Sequence, residues 1–341
     1  MPIQFPPSPT LNQEYTYEGK VWAWDGSSWV GVRQQTGILS SNIWAKQSLL
    51  IPKRGFGLNS GYNATTDQRR TKAGTIPMLK HNMERDLGLF ENVTGAWTPK
   101  EISTSLWLDA ADASTITLNS TTVSQWNDKS GNARNFSQAT AGNQPAYQTS
   151  GINSKPSVEF TGSNENFMTA SSVLSSSSTA GSIFWVQTTE ADPGTNNNNL
   201  GSLITSSWGS SSSDNHIPWT DGNIYFAGFS TSRPNVGNPS VSLTAPRILS
   251  HHSTNGSVAF YIDGTSFFTS ASNTFANPSS SKRIGGVTLY RFTGQVAELI
   301  VLSNIPTTTE RQLIEGYLAW KWGLTSSLPN DHPYKNIAPT I

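Results

Sequence analysis

The pattern of apolar and polar positions between residues 295 and 324 predicts one buried strand followed by one helix. Apolar residues at 295–302 fall on both faces of an extended chain, which is typical of a central strand covered on two sides. Pro306 ends the strand, and Thr307 with Glu310 forms the sequence signature of a capping box. Gly323 is suited to end the helix, because glycine adopts the left-handed conformation common there.

The predicted helix is amphipathic. Its apolar face carries Leu313, Tyr317, Trp320 and Leu324, flanked by Ile314 and Leu318. The opposite face carries Arg311, Gln312 and Glu315. We therefore expect the helix to pack on the preceding strand through the face that contains Trp320.

From residue 101 onward, the rest of the chain consists of short segments in which apolar and polar residues alternate, separated by turn residues. Trp107 and Leu108 lie in the first of them, and Asp263-Gly264 is a tight hairpin signal. The further predicted strands are 115–118, 122–126, 158–160, 182–187, 201–204, 224–228, 247–250, 258–262 and 265–268. This spacing predicts an all-β, two-sheet sandwich over residues 101–341.

Residues 1–37 predict a separate three-stranded β-meander. Its turns fall at Glu18-Gly19 and Asp25-Gly26. The meander carries Trp22, Trp24 and Trp29 but is too small for a core of its own, so we expect these side chains to attach it to a neighbouring chain or domain.

Residues 38–100 lack periodicity and predict an irregular basic arm. Arg69, Arg70 and Lys72 form its basic cluster. We interpret this segment as an assembly arm or linker that also takes part in attachment. The alternative is a loop wrapped on the chain's own sandwich.

Charge divides the chain in two. Residues 1–100 hold 11 Lys/Arg and 7 Asp/Glu, a net of +4, whereas residues 101–341 hold 11 and 15, a net of −4. Charged residues make up only 13% of the 341 residues, and cysteine is absent. The dispersed positive charge does not predict nucleic-acid binding. No apolar run predicts a membrane span, and the N-terminus does not have the pattern of a signal peptide.

Several segments resemble one known family. They are Leu-Trp-Leu-Asp-Ala-Ala-Asp at 106–112, the turn at 124–132, the strand at 294–300, the helix at 310–324 and Leu-Pro-x-x-His-Pro-Tyr at 328–334. These segments are similar to LamG-like, concanavalin A-like jelly-roll domains of phage and bacterial surface proteins. The resemblance implies a jelly-roll sandwich with one C-terminal helix, and sugar or surface binding by analogy. The N-terminal segment resembles modules in structural proteins of tailed phages, notably cyanophages.

Catalytic motifs are not apparent in the sequence. Related glucanases carry E-x-D-x-x-E on one strand, whereas here Glu190-Ala-Asp192 is followed by Thr195 in place of the last glutamate. Glu298 is alone on its strand, no nucleophile elbow is present, and the histidines lack metal spacing. These observations predict that the chain is not an enzyme.

A loop rich in aromatic, amide and carboxylate residues is the candidate glycan-binding site, because sugars bind aromatic faces and polar groups together. Its residues are Trp208, Asp214, Asn215, His216, Trp219, Asp221, Asn223 and Tyr225. Either tryptophan could equally lie in the core. The sequence indicates no cofactor, or at most a structural calcium, for which Asp109 and Asp112 are candidate ligands. For Asp128 we favour stabilisation of a turn.

Together these patterns lead to a hypothesis of a structural protein at the surface of a tailed phage virion. The N-terminal region would anchor it to capsid or tail proteins, in several copies, and the sandwich would face outward as a capsid decoration or short appendage that binds host surface polysaccharide. The alternatives are a tail fibre receptor-binding adhesin, a polysaccharide-active enzyme and a bacterial surface lectin.

Overall fold

The computed structural model describes residues 5, 8–10, 13–17, 20–24, 28–32, 96–162, 165–195, 199–286 and 289–341. The chain divides into two units, Met1–Asp86 and Leu87–Ile341. Arg69, Arg70 and Lys72, with most of the predicted arm, lie outside the described residues. Among the residues described, no helix has the length and hydrophobicity needed to cross a bilayer.

The predicted meander is confirmed in the N-terminal unit. Its antiparallel strands are β1 (Glu14–Tyr17), β2 (Lys20–Trp24) and β3 (Trp29–Val32), in that order. Trp29 stacks on Phe5 at a centroid distance of 5.1 Å, and Tyr15 and Trp24 contact Trp29 at 6.0 and 5.7 Å. These four rings are half-buried, so they pack on one another and still leave aromatic surface accessible.

The larger unit is almost entirely β-structure. Its strands are β4 (Thr104–Asp109), β5 (Ile116–Asn119), β6 (Thr122–Trp126), β7 (Phe136–Ser137), β8 (Ala146–Gln148), β9 (Ser157–Phe160), β10 (Met168–Ala170), β11 (Ala180–Gln187), β12 (Ile224–Tyr225), β13 (Asn235–Gly237), β14 (Arg247–Thr254), β15 (Ser257–Ile262), β16 (Thr265–Ser270), β17 (Lys282–Ile284) and β18 (Gly294–Leu302). One α-helix, α1 (Thr308–Trp322), follows the last strand in this part of the structure. Short 3₁₀ helices cover Pro99–Glu101, Ala113–Thr115, Ala141–Asn143, Ile152–Ser154, Ser206–Trp208 and Thr325–Ser327.

Thirteen of the described strands join in one antiparallel sheet that folds over a shared core. Its order is β16-β15-β14-β11-β18-β9-β8-β6-β7-β10-β17, with β4 on β18 and β5 on β6. The main core lies between the two halves of this sheet and contains side chains from both, such as Trp126, Phe136, Trp185 and Phe260. The all-β sandwich predicted from the sequence is therefore confirmed.

Strand β18 lies at the centre of the structure, as predicted. It pairs with β11, β4 and β9, and its residues from Val296 to Leu302 are buried. The capping box of α1 is present, since Glu310 N–H donates to Thr307 Oγ1 and Thr307 N–H donates to Glu310. Gly323 ends the helix with φ +71°, the left-handed conformation that glycine adopts without strain.

The predicted packing face of α1 is correct except at Trp320, since Leu313, Tyr317 and Leu324 contact the core beneath the helix. Trp320 is 43% exposed, whereas Ile314, Leu318 and Trp322 are fully buried in a second core between the helix and the sheet. Glu315, on the predicted polar side, is also buried, because His332 of the segment after the helix contacts it. Gly316 lies so close to this segment that a Cβ there would come within 2.5 Å of Tyr334 Cβ.

Two other strand predictions need correction. Residues 201–204 form no strand, although Ile204 makes an isolated bridge with Ile284, and the predicted strand 224–228 shortens to β12. In both places side chains and distant loops bind the backbone instead, as when Asn215 accepts from Ala227 N–H and Gly201 N–H donates to Arg291 O. The Asp263-Gly264 hairpin is confirmed, with φ of +51° and +80°.

The adjacent histidines of β14 point to opposite faces of the sheet, as alternation along a strand requires. His251 Nε2 lies 2.6 Å from Gly228 O in the main core, and His252 packs edge-on against Phe184 at 5.1 Å in the second core. Burial lowers the pKa of His251 to about 4 and that of His252 to about 3. Both side chains are therefore neutral at pH 7.

We expect acid to destabilise the fold through these histidines. A folded-state pKa below the ordinary value of about 6.5 means that the unfolded chain binds the proton first, so stability is lost as the pH falls below 6.5. Between pH 7 and 5 this loss is about 2 kcal/mol for His252. Urea unfolding of the wild type and of His252→Gln at both pH values measures it. The loss should be about 2 kcal/mol smaller in the variant, and an equal loss in both proteins would contradict the expectation.

Candidate functional site

A short hairpin between His216 and Tyr225 carries most of the predicted binding residues to one place. His216 N–H donates to Tyr225 O at 2.8 Å, and Tyr225 N–H donates back to His216 O at 3.0 Å. Nearer the tip, Trp219 N–H donates to Asn223 O at 2.9 Å. Gly222 makes the turn with φ +79°, where a side chain would be strained and would collide with Asn238. The hairpin therefore presents Trp219 and Asp221 at its tip.

Three rings form an aromatic cluster on this hairpin: His216, Trp219 and Tyr290. The His216 and Trp219 ring centroids are 4.2 Å apart, and the Tyr290 ring stands edge-on to both, at 4.9 Å from His216 and 5.3 Å from Trp219. His216 is buried, whereas Trp219 and Tyr290 are half-buried. The tryptophan is thus supported from behind and keeps part of its indole at the surface.

His216 supports the cluster as a neutral ring. Burial lowers its pKa to about 4, against the opposing effect of its hydrogen bond with the Leu200 carbonyl. At neutral pH the imidazole therefore adds no charge beside Trp219. Its position beneath the tryptophan makes it a positioning residue.

Polar groups with fixed directions lie beside the cluster. The exposed Asp221 accepts hydrogen bonds from Asn223 N–H at 2.9 Å, from Asn223 Nδ2 at 2.7 Å and from the Tyr225 hydroxyl at 2.8 Å. Burial is the largest single influence on the pKa of Asp221 and raises it, but the hydrogen bonds together hold this pKa below its ordinary value. Arg233 lies over the Tyr225 ring at 5.0 Å. The hairpin therefore offers a fixed carboxylate, amide and hydroxyl next to an aromatic surface.

The other predicted binding residues lie elsewhere. Trp208 is fully buried, stacks on Phe136 and donates from Nε1 to Arg283 O at 2.8 Å, so it belongs to the core. Asn215 is buried and bonds Ile204 O at 2.9 Å. The burial of Trp208 and Asn215 shows that their prediction as surface ligands was wrong.

Asp214 fixes the base of the loop. Its carboxylate accepts from Ser206 Oγ at 2.8 Å, and its backbone carbonyl accepts from Arg233 at 2.7 Å. Sequence analysis missed Arg233 and Tyr290, which come from segments 8 and 65 residues beyond Tyr225. The local signal for Tyr290 was an aromatic residue in the segment between β17 and β18.

The proposed calcium ligands hold a lysine ammonium group. Lys129 Nζ lies 2.7 Å from Asp109 and 2.8 Å from Asp112, and the hydrogen bond from Lys129 is the main reason that the pKa of Asp112 falls to about 2. In the described part of the chain, no group of three His, Cys, Asp or Glu side chains is arranged to hold a metal. Asp128 accepts from the N–H groups of Trp107, Ser130 and Arg134, and so stabilises its turn.

Glu298 forms a buried junction between β18, β4 and α1. Its carboxylate accepts from Trp107 Nε1 at 2.6 Å, Trp322 Nε1 at 2.7 Å and Tyr317 Oη at 2.9 Å. Lys321 Nζ lies 2.8 Å from the same carboxylate and 2.7 Å from Asp109. Four donors surround the fully buried Glu298, which indicates a structural role.

Comparisons with solved structures identify proteins of similar architecture. No protein-family model and no curated protein matches the chain. Domain 4 of AbnA, an extracellular GH43 arabinanase from Geobacillus stearothermophilus, is 16% identical, with a TM-score of 0.44, over 61% of this chain and 96% of that one. The binding domain of Paraclostridial Mosquitocidal Protein 1 is 11% identical, with a TM-score of 0.44, over 63% and 52%. Trypanosoma rangeli sialidase is 10% identical, with a TM-score of 0.39, over 73% and 40%. The chain thus spans about half of the mosquitocidal binding domain and 40% of the sialidase.

These comparisons contradict the prediction that the chain is not an enzyme. The similar structures include a domain of an arabinanase, a sialidase and an α-L-arabinofuranosidase. The absence of an E-x-D-x-x-E motif does not by itself exclude an enzyme, so the prediction does not stand. At these identities and TM-scores the likeness concerns the fold and assigns no activity to this chain.

Proposed function

We propose that the larger unit binds a saccharide at the hairpin tip, with Trp219 as the stacking surface. The observation that carries this proposal is a half-buried tryptophan supported by the buried His216 and by Tyr290. The apolar face of a sugar ring packs on such a surface, and its hydroxyls need polar partners nearby. Asp221, Asn223 and Tyr225 supply those partners.

The hydrogen bonds within the hairpin favour binding because they fix these groups in advance. Asp221 is held by both Asn223 and Tyr225, so its carboxylate loses little freedom when a ligand arrives. A site with fixed side chains avoids the cost of ordering them, which is about 0.5–1.5 kcal/mol for each mobile side chain. The exposed carboxylate retains acceptor capacity beyond its three internal hydrogen bonds.

We expect Trp219→Ala to weaken saccharide binding by at least about tenfold, because the variant removes the stacking surface. Isothermal titration calorimetry measures this with neutral hexasaccharides of glucose, xylose, mannose, galactose, arabinose and N-acetylglucosamine. Trp320→Ala is the matched control, since Trp320 is also at the surface but lies on α1. Unchanged affinity in Trp219→Ala, or no binding of any probe to the wild type, would contradict the proposal.

We further propose that the N-terminal unit anchors the chain in a phage particle and that the sandwich serves as a surface appendage. Three observations support this: the half-buried rings of Phe5, Tyr15, Trp24 and Trp29, the net charge of +4 over residues 1–100, and the resemblance of the N-terminal segment to phage structural modules. Aromatic surface and positive charge together favour docking on an acidic protein surface. Trp22, Trp24 and Trp29, with Arg69, Arg70 and Lys72, are the proposed attachment residues.

Deleting residues 1–95 should abolish incorporation into particles and leave the sandwich folded. This boundary keeps Trp97, which is buried in the second core. The measurement is the amount of the chain that co-sediments with purified virions, and Trp24→Ala with Trp29→Ala is a milder variant for the same assay. Co-sedimentation of the truncated chain at full occupancy would show that the N-terminal unit is not the anchor.

A further inference from the structure

A polar groove opens on the sheet near the start of β18. Its volume is about 460 Å³, which lies within the range of ligand pockets in proteins. Polar side chains dominate its lining, among them Glu159, Thr161, Thr188, Glu190, Thr293 and Gln295. Hydroxyl, amide and carboxylate groups of this kind are the partners that sugar hydroxyls require.

Three adjacent segments position these side chains. Gln295 of β18 lies opposite Glu159 of β9 in the sheet register. On the other side of β18, Thr188 N–H donates to Gln295 O at 2.9 Å, and Glu190 N–H donates to Thr293 O at 3.0 Å. The Gln148 side-chain amide donates to the Glu159 carboxylate and holds it in place. The groove therefore has a backbone framework and does not depend on a single loop.

The groove and the aromatic cluster share two chain segments. In residues 190–194, Glu190 borders the groove, and Gly194 N–H donates to the Trp219 carbonyl at 3.2 Å. In residues 290–293, Tyr290 contacts Trp219, and Thr293 borders the groove. Three residues of chain span at most about 11 Å, so one oligosaccharide of several units can reach both places.

We propose that this groove is a second subsite for the saccharide chain that stacks on Trp219, and that the saccharide is neutral. The proposal rests on the proposed function of the hairpin tip. The described lining residues include two glutamates and neither lysine nor arginine. Arg291 donates to the lining Gly162 O at 2.7 Å but also faces Glu165 at 3.8 Å, so the carboxylates outnumber the cations and the groove disfavours an acidic sugar. The hydroxyls of a neutral sugar can donate to both carboxylates.

The test compares saccharides of different length. For the neutral hexasaccharide that binds best, the di-, tetra- and hexasaccharides of its series are titrated into the wild type by calorimetry, together with hexagalacturonate as the acidic probe. We expect the hexasaccharide to bind at least about tenfold more tightly than the disaccharide, and hexagalacturonate to bind more weakly than the neutral hexamer.

Two variants separate the subsites. Glu190→Gln, at an exposed position, should lower hexasaccharide affinity about tenfold and leave disaccharide affinity unchanged, whereas Trp219→Ala should weaken binding of both. Glu101→Gln is the control, because Glu101 is exposed and does not line the groove. Tight binding at the hairpin without any gain from chain length, or preference for hexagalacturonate, would overturn the groove proposal and leave the proposed function standing. Absence of binding by every saccharide would overturn both.

Discussion

Replacing Glu298 with alanine should lower the free energy of unfolding by about 3–5 kcal/mol, since it breaks a buried ion pair and removes the acceptor of several buried donors. Lys321 keeps its second partner, Asp109, at 2.7 Å. The carboxylate is fully buried and lies 2.8 Å from Lys321. Its loss also leaves the indole N–H groups of Trp107 and Trp322 without their acceptor. Each unsatisfied buried donor adds about 1–3 kcal/mol of desolvation cost.

Chemical denaturation of the wild type, Glu298→Ala and Glu298→Gln measures this effect. The glutamine variant keeps an acceptor oxygen but loses the charge, so its free energy of unfolding should lie between those of the wild type and Glu298→Ala. Glu101→Ala is the control, because Glu101 is exposed and should change stability by less than about 0.5 kcal/mol. A loss below about 1 kcal/mol in Glu298→Ala would show that the junction does not hold β18, β4 and α1 together.

Replacing Trp322 with alanine should also lower the free energy of unfolding by about 3–5 kcal/mol, the usual cost of deleting a fully buried tryptophan. Trp322 fills the second core beside Ile314 and Leu318, and its Nε1 donates to Glu298 at 2.7 Å. Its removal creates a cavity at the point where the helix meets the sheet.

Trp320→Ala is the matched control, two residues away on the same helix. Trp320 is 43% exposed, and its Nε1 donates to the Tyr334 carbonyl at 2.8 Å, so the change should cost about 1 kcal/mol. Thermal and urea unfolding of both variants give the comparison. If Trp320→Ala lowered the free energy of unfolding more than Trp322→Ala, Trp320 would be the buried tryptophan, as the sequence predicted, and the observed packing would be contradicted.

Local signals in the sequence predicted the elements near the C-terminus because the physical causes are local. Thr307 and Glu310 lie three residues apart, and their reciprocal hydrogen bonds form within one turn of helix. Asp263 and Gly264 form a tight turn by their own backbone preferences. The two-sided apolar pattern of β18 likewise identifies a central strand without any knowledge of its neighbours.

The errors arose where distant segments decide burial. The face of α1 depends on residues 332–339, which return over Glu315 and Gly316. Glu298 meets Trp107 across 191 positions, which no spacing rule reveals. These contacts follow from the path of the chain and not from the helix itself.

The two tryptophans of the candidate loop illustrate the same limit. Both stand among serine, aspartate and asparagine, but Trp208 is packed against Phe136 in the core, whereas Trp219 is placed at a hairpin tip. Tyr290 joins Trp219 from a different segment. The composition of the loop predicted a polar aromatic surface, and only the fold assigns each residue to the surface or the core.

Resonance shifts of the tryptophan indole N–H groups test the central claim most directly. A ¹⁵N-labelled sample is titrated with the neutral hexasaccharide that binds best, and the Trp219 resonance is assigned from its absence in Trp219→Phe. We expect the Trp219 resonance to shift with saturation while those of the buried Trp107 and Trp322 remain unchanged. A saturable shift confined to other tryptophans, with Trp219 unaffected, would contradict saccharide binding at the hairpin tip.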